Sequence, residues 1–202
     1  VIISSRYLAS LPESEIKAGY AEMLKHGLLK STEAYNRLLH FDFNDNAGSN
    51  LLSLLEESVN VKREIVIQDP LEKGLRRALN LGHTAGHAFE SMALHKGTPI
   101  PHGYAVAWGL VVETVLSHTE RQYPSSEVYR LAEYILTHYG AYHITCDDYP
   151  ALLDYMAHDK KSENGEYNFS LLSSPGNITT GCVVTKEAVE AALDIYRDLM
   201  HI

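Results

Sequence analysis

Hydrophobic residues recur along this chain mostly at helical spacing, and most of its elements can be placed from that period alone. Residues 1–11 read as a strand or extended lead-in ending at Leu11-Pro12. Pro12, Glu13 and Glu15 suit the first turn of a helix, where a missing N–H costs nothing and negative charge meets the positive end of the dipole. Ile16, Tyr20, Met23, Leu24 and Leu28 then form one apolar stripe, with Glu22 and Lys25 beside it, three apart. A second helix is expected over Thr32–Leu39, followed by loop chemistry from Phe41 to Gly48. Asn50 can cap a longer helix to about Gln68, with Leu51, Leu54, Leu55, Val59, Lys62, Ile65 and Val66 on its inner side. Lys62 either snorkels outward from that face or points inward to hold an anion.

Downstream, Tyr104 to Leu116 is nearly apolar throughout and predicts a central buried helix, in which Trp108 and Val112 are core. Helices over Ser126–Tyr139 and Tyr149–Met156 come next, then a charged turn from Asp159 to Gly165. Tyr167–Leu172 and Ile178–Val184 predict two strands joined through Ser174-Pro175-Gly176-Asn177. A last helix from Lys186 to about Met200 turns Val189, Ala192, Leu193, Tyr196 and Leu199 inward. The expected fold class is mostly α, a single helical domain with one small β-hairpin. No repeat interrupts it, and no Gly-x-Gly-x-x-Gly turn is present, so a dinucleotide-binding fold is not expected in this chain.

Composition narrows the function. With 45% apolar and 21% charged residues over 202 positions, the chain is an ordinary globular one. A net charge of -9 argues against a general nucleic-acid or anionic-membrane partner. Only Cys146 and Cys182 occur, far apart, so neither a disulfide framework nor a thiolate metal site is expected, and the protein reads as cytoplasmic. No apolar run reaches membrane-spanning length. The start at Val1-Ile2-Ile3 has no initiator Met and reads as a piece cut from a longer protein.

The chemistry concentrates between Arg76 and His102. His83 and His87 are four apart, so on a helix both imidazoles leave one face, which is metal-ligand spacing. Such a pair serves equally well as hydrogen-bonding side chains at a helix crossing. His102, a short loop later, offers a third nitrogen, and a further ligand is still needed. Gly82 and Gly86 share the same offset. Two glycines within one helix cost roughly 1 kcal/mol each, so the face they bare is expected to meet a ligand or another helix.

Four blocks in order resemble the C-terminal domain of 3-dehydroquinate synthase. They are Leu11-Pro12-Glu13 leading to Gly19-Tyr20-Ala21-Glu22-Met23-Leu24-Lys25-His26-Gly27, then Lys62, then Gly74 to Glu90, then His102-Gly103-Tyr104-Ala105-Val106. A looser fifth runs from Asp159-Lys160-Lys161 into the Leu171-Leu172 strand. The resemblance spans nearly the whole chain, and Leu79 to His87 is its most specific part. It implies a divalent metal, zinc or cobalt, held by Glu22, His83 and His102, with His87 moved from ligand to a substrate-side, proton-handling neighbour. Lys25, Lys62, Arg76, Asn80, His87 and Lys160 are then the substrate-binding positions, and His87, Lys25 and Asn80 the catalytic ones. Tyr104 stands where the family has Glu, and the Glu22 block departs mildly; neither change removes a ligand.

The implied reaction converts a small sugar acid phosphate, 3-deoxy-D-arabino-heptulosonate 7-phosphate, to 3-dehydroquinate and phosphate. Bound NAD takes a hydride from an alcohol, the ketone acidifies the neighbouring C–H, phosphate leaves, the hydride returns and an aldol step closes the ring. The family's nucleotide-binding domain would hold NAD, and this chain alone is expected to be inactive. A homodimer is implied as well. Other sugar phosphate cyclases, metal-dependent alcohol or glycerol dehydrogenases, and a non-catalytic helical interaction domain are the competing readings. A cluster of Lys25, Lys62, Arg76 and Lys160 around one pocket distinguishes the cyclases from the dehydrogenases; scattering of Glu22, His83 and His102 would favour the interaction domain.

Overall fold

A computed structural model describes residues 8, 10–43, 49–159 and 166–202. The elements, in order, are helices α1 (Glu13–Lys30), α2 (Thr32–Leu39) and α3 (Ser49–Gln68), a 3-10 segment (Leu75–Asn80), helices α4 (His83–His95), α5 (His102–Arg121), α6 (Ser125–Tyr139) and α7 (Tyr149–Asp159), strands β1 (Tyr167–Ser174) and β2 (Asn177–Val184), and α8 (Lys186–Leu199). The expected mostly α fold with one hairpin is the one observed.

Helix α5 is the axis of the molecule. Every residue from Ala105 to Ser117 is buried, as a sequence without a polar face requires, and α1, α4, α6, α8 and β1 pack around it. The amphipathic helices bring one stripe each: Tyr20, Met23, Leu24 and Leu28 from α1, and Val189, Ala192, Leu193 and Tyr196 from α8. At roughly 1.5–3 kcal/mol per large apolar side chain removed from water, these faces hold the shell to its axis. Trp108 lies in the core and also donates from Nε1 to Gly140 O at 2.8 Å.

The hairpin braces the region that carries the candidate chemistry. Strands β1 and β2 run antiparallel, with Tyr167 opposite Val184 and Ser174 opposite Asn177, and irregularities after Phe169 and Leu172. β1 buries Phe169, Leu171 and Leu172 against α5, and Ser170 Oγ donates to Arg77 O in the 3-10 segment at 2.8 Å. At the tip, Gly176 has φ 87° and its N–H donates to Leu28 O at 2.8 Å. A Cβ there would stand 3.0 Å from Lys30 O, so glycine serves both the turn and the docking onto α1.

Three expectations change. The lead-in falls largely outside the described residues, and where it is described Leu11 N donates to Leu8 O, a turn rather than an extended strand. In α3 the buried stripe is Leu51, Leu54, Ser58, Val61 and Ile65, while Val59 and Lys62 are exposed. The phase differs from the apolar pattern because Ser58 is drawn inward by a 2.6 Å hydrogen bond with His26 Nδ1. Gly82 is not inside a helix: it precedes α4 with φ 78°, after the 3-10 segment Leu75–Asn80. The charged turn at 160–165, with Lys160, lies outside the described residues.

Candidate metal and substrate site

Three elements meet at the site. Helix α1 supplies Glu22 and Lys25 on adjacent turns, and Lys25 Nζ donates to Glu22 Oε2 at 2.7 Å. Lys25 is 2% exposed. Burial pushes its pKa down and so does Lys62, whereas Glu22 and Glu113 push it up; the net direction is down. Burial alone would raise the Glu22 carboxyl, but His83 and Lys25 beside it reverse this and hold it well below the usual carboxylate range.

The first turn of α4 carries His83 and its second carries His87, and α5 opens with His102. The three rings lie 5.3 to 5.7 Å apart by centroid, and one nitrogen from each falls within 4.8 Å of the others. Glu22 Oε1 stands 3.2 Å from His83 Nε2 and 3.8 Å from His102 Nε2. Side-chain exposure rises from 14% at His83 through 27% at Glu22 to 46% at His102, so the group faces solvent on one side.

Hydrogen bonding on the far side of each ring sets which atoms face inward. His83 Nδ1 lies 3.2 Å from Leu81 O, which can only accept, and His102 Nδ1 lies 3.2 Å from Glu90 Oε2. Both Nδ1 atoms thus face acceptors, and in the tautomer protonated there each ring turns an Nε2 lone pair toward Glu22. Among the described residues, buried Glu22 Oε1 has no well-formed hydrogen-bond partner. Glu22 Oε1 faces both ring nitrogens, and a shared divalent cation would satisfy the carboxylate and two imidazole lone pairs at once. Their spacing suits one: metal bonds of roughly 2.0–2.1 Å at tetrahedral angles put ligand atoms about 3.3 Å apart. The donor set, one carboxylate and two imidazoles, fits a divalent metal with further coordination positions open.

The remaining candidates divide. Lys62, though exposed, is near enough for its charge to act on Lys25 and His26. Arg76 is half-buried and tied to its own loop: its N–H donates to Asp69 Oδ2 at 3.0 Å, Nη1 donates to Pro70 O at 3.0 Å, and Nε lies 3.8 Å from Glu72 Oε2. Asn80 Nδ2 donates to the same Glu72 carboxylate at 3.4 Å. Glu72 thus sits between two residues expected to bind substrate, as an anion they would exchange for another. Lys160 falls outside the described residues.

Sequence reasoning missed Glu90 and Glu113. Glu90 had a signal, since it lies seven positions from His83 and three from His87 and so shares their helix face. Glu113 had none, being one acid in an apolar run.

Comparison with known proteins places the chain. The profile described as 3-dehydroquinate synthase C-terminal matches residues 19–162. The chain belongs to that family. Curated proteins named 3-dehydroquinate synthase match it at 45% identity over 98% of the chain, from Parabacteroides distasonis, and at 37% over 92%, from Leptospira interrogans. The chain spans 56% and 51% of those relatives, about half their length. Among solved structures, 2-epi-5-epi-valiolone synthase from Streptomyces hygroscopicus with NAD+ and Zn2+ bound aligns with TM-score 0.83 and 25% identity, covering 97% of this chain and 55% of that one. 2-Deoxy-scyllo-inosose synthase complexed with carbaglucose-6-phosphate, NAD+ and Co2+ aligns at 0.73 with 22% identity, over 94% and 54%, a likeness of fold.

Proposed function

We propose that this chain is the metal- and substrate-binding half of a 3-dehydroquinate synthase, a carbon–oxygen lyase that cyclises 3-deoxy-D-arabino-heptulosonate 7-phosphate with loss of phosphate. The observation that carries the metal site is the convergence of Glu22 Oε1, His83 Nε2 and His102 Nε2. Those three residues would hold a divalent ion, zinc or cobalt, which when bound supplies Lewis acidity toward the substrate's oxygens. His87, whose ring nitrogen shares the cluster with those of His83 and His102, is assigned to the substrate side on the family resemblance.

The chain's own groups would orient an anionic, polyhydroxylated substrate. Lys25 and Lys62 repel one another, and an anion between them removes that repulsion while gaining charge-assisted bonds. Arg76 offers its planar fork to a carboxylate or phosphate, and Asn80 binds a hydroxyl, both on displacing Glu72. Lys160 is assigned as a further cation. His87 is assigned to exchange a proton with substrate, and Lys25, whose pKa is lowered by burial, is the second group assigned to that task.

NAD is assigned to a nucleotide-binding domain outside this stretch, because no glycine-rich phosphate turn occurs in the sequence. A second reading, another sugar phosphate cyclase, draws on the alignment with 2-epi-5-epi-valiolone synthase; the relatives at 45% and 37% identity favour the dehydroquinate enzyme. The test is dialysis against zinc followed by elemental analysis. One ion per chain is expected, and Glu22→Gln should lower that content severalfold, since a neutral amide is a poorer ligand. Equal zinc in both proteins overturns the ligand set. In the longer enzyme, phosphate release from the heptulosonate phosphate, dependent on NAD and metal, tests the substrate.

A further inference from the structure

Helix α4 begins without a capping side chain of its own. Gly82 occupies the cap position and offers no side chain, and the third helical residue, where a Glu or Gln would reach back to the cap N–H, is Ala85. Both amides are nevertheless satisfied. Gly82 N donates to Glu113 Oε2 at 2.7 Å, and Ala85 N donates to Glu113 Oε1 at 3.2 Å. One carboxylate from the middle of α5, 0% exposed, thus makes both contacts of a capping box across a helix interface.

The two residues it holds flank His83. Glu113 stands on the same helix as His102, so a single side chain fixes the start of α4 relative to the helix that presents the other imidazole. A buried carboxylate persists where it accepts hydrogen bonds and faces a helix N-terminus, and the negative charge of Glu113 also favours the proton on Lys25. We propose that Glu113 is a positioning residue for the metal site, setting the reach of His83 Nε2 toward Glu22 and His102 by clamping the Gly82–Ala85 turn. The role deepens the metal reading above and rests on it.

The experiment compares zinc affinity, by competition with a chromophoric chelator, in the unaltered protein, Glu113→Gln and Ser117→Ala. Ser117 is the control: it is equally buried on α5, where its Oγ donates to Glu113 O at 2.6 Å and accepts from Leu172 N at 3.0 Å, a link to β1 and not to α4. Glutamine can accept one of the two amide protons but turns an N–H toward the other. Glu113→Gln should weaken zinc about tenfold or more, the usual scale for a group that orients a ligand, while Ser117→Ala lowers the melting temperature and leaves zinc affinity within about twofold. Equal affinity in Glu113→Gln and the unaltered protein, or equal weakening in both variants, overturns the proposal. If Glu113→Gln does not fold, Glu113→Asp carries the same test, keeping the charge but too short to reach both amides. Amide hydrogen exchange without metal separates the two readings. Gly82 and Ala85 should exchange at least about tenfold faster in Glu113→Gln, with central α5 amides unchanged; unchanged Gly82 and Ala85 rates sink the clamp, whereas failure of the unaltered protein to bind zinc sinks the metal reading.

Discussion

His26 sits next to the buried Lys25, and its surroundings decide its charge. It is 5% exposed, its Nδ1 lies 2.6 Å from Ser58 Oγ, and its buried Nε2 has no hydrogen-bond partner among the described residues. Burial, then the Lys25 charge, push its pKa down to about 3. A histidine depressed in the folded state binds a proton more readily when unfolded, so its contribution is present above about pH 6.5 and is lost as pH falls toward 3. Carboxylates titrate lower, so the upper part of that window isolates imidazoles. Between pH 6.5 and 5 the protein should lose about 1.5 kcal/mol through this residue, read as a falling melting temperature. His26→Gln should flatten the slope over that interval; an unchanged slope would show that His26 is not held neutral.

At the scale of elements, the crossing of α4 and α5 governs the site, because His83, His87 and His102 all ride on it. Two glycines allow the helices to close. A Cβ on Gly109 would lie 2.1 Å from Gly82 O and 2.6 Å from Gly86 N, both backbone atoms of the opposing segment. One on Gly86 would lie 3.0 Å from Ala105 O. Gly109→Ala should therefore cost ~3 kcal/mol or more, since rigid backbone must move, and should lower zinc content together with melting temperature. Gly86→Ala needs only a small shift, offset by roughly 1 kcal/mol of helix propensity, and should stay within about 1 kcal/mol of the unaltered protein. A Gly109→Ala protein with normal stability and full zinc would show that this approach does not set the site.

For the molecule as a whole, the site is a shared edge of α1, α4 and α5, backed by α3 and by a hairpin that reaches both the 3-10 segment and the end of α1. Among the described residues no helix is long and apolar enough to cross a membrane. The division of labour proposed above makes a prediction here: by calorimetry, the 202-residue chain should take up zinc without measurable NAD binding at concentrations up to about 1 mM, a level corresponding to roughly 4 kcal/mol of binding free energy. Saturable NAD binding in the micromolar range would place the nucleotide site within this stretch.

Much was legible in the sequence because it is local. Helix period, the turn at Ser174 to Asn177, the i,i+4 histidines and the block around His83 all follow from neighbours along the chain, and helices α1 to α8 and the hairpin appear close to where the pattern puts them. The inward phase of α3 was not legible, because Ser58 is buried by a bond to His26 from another helix. Nor was the cap of α4, since Gly82 and Ala85 show no capping chemistry and Glu113 reads as an isolated acid. The sequence determined which helices form and which donor atoms are available; only the packing of α1, α4 and α5 decided that Glu22 Oε1 stands 3.2 and 3.8 Å from two imidazole nitrogens, because groups brought together from three helices have no signature in any one of them.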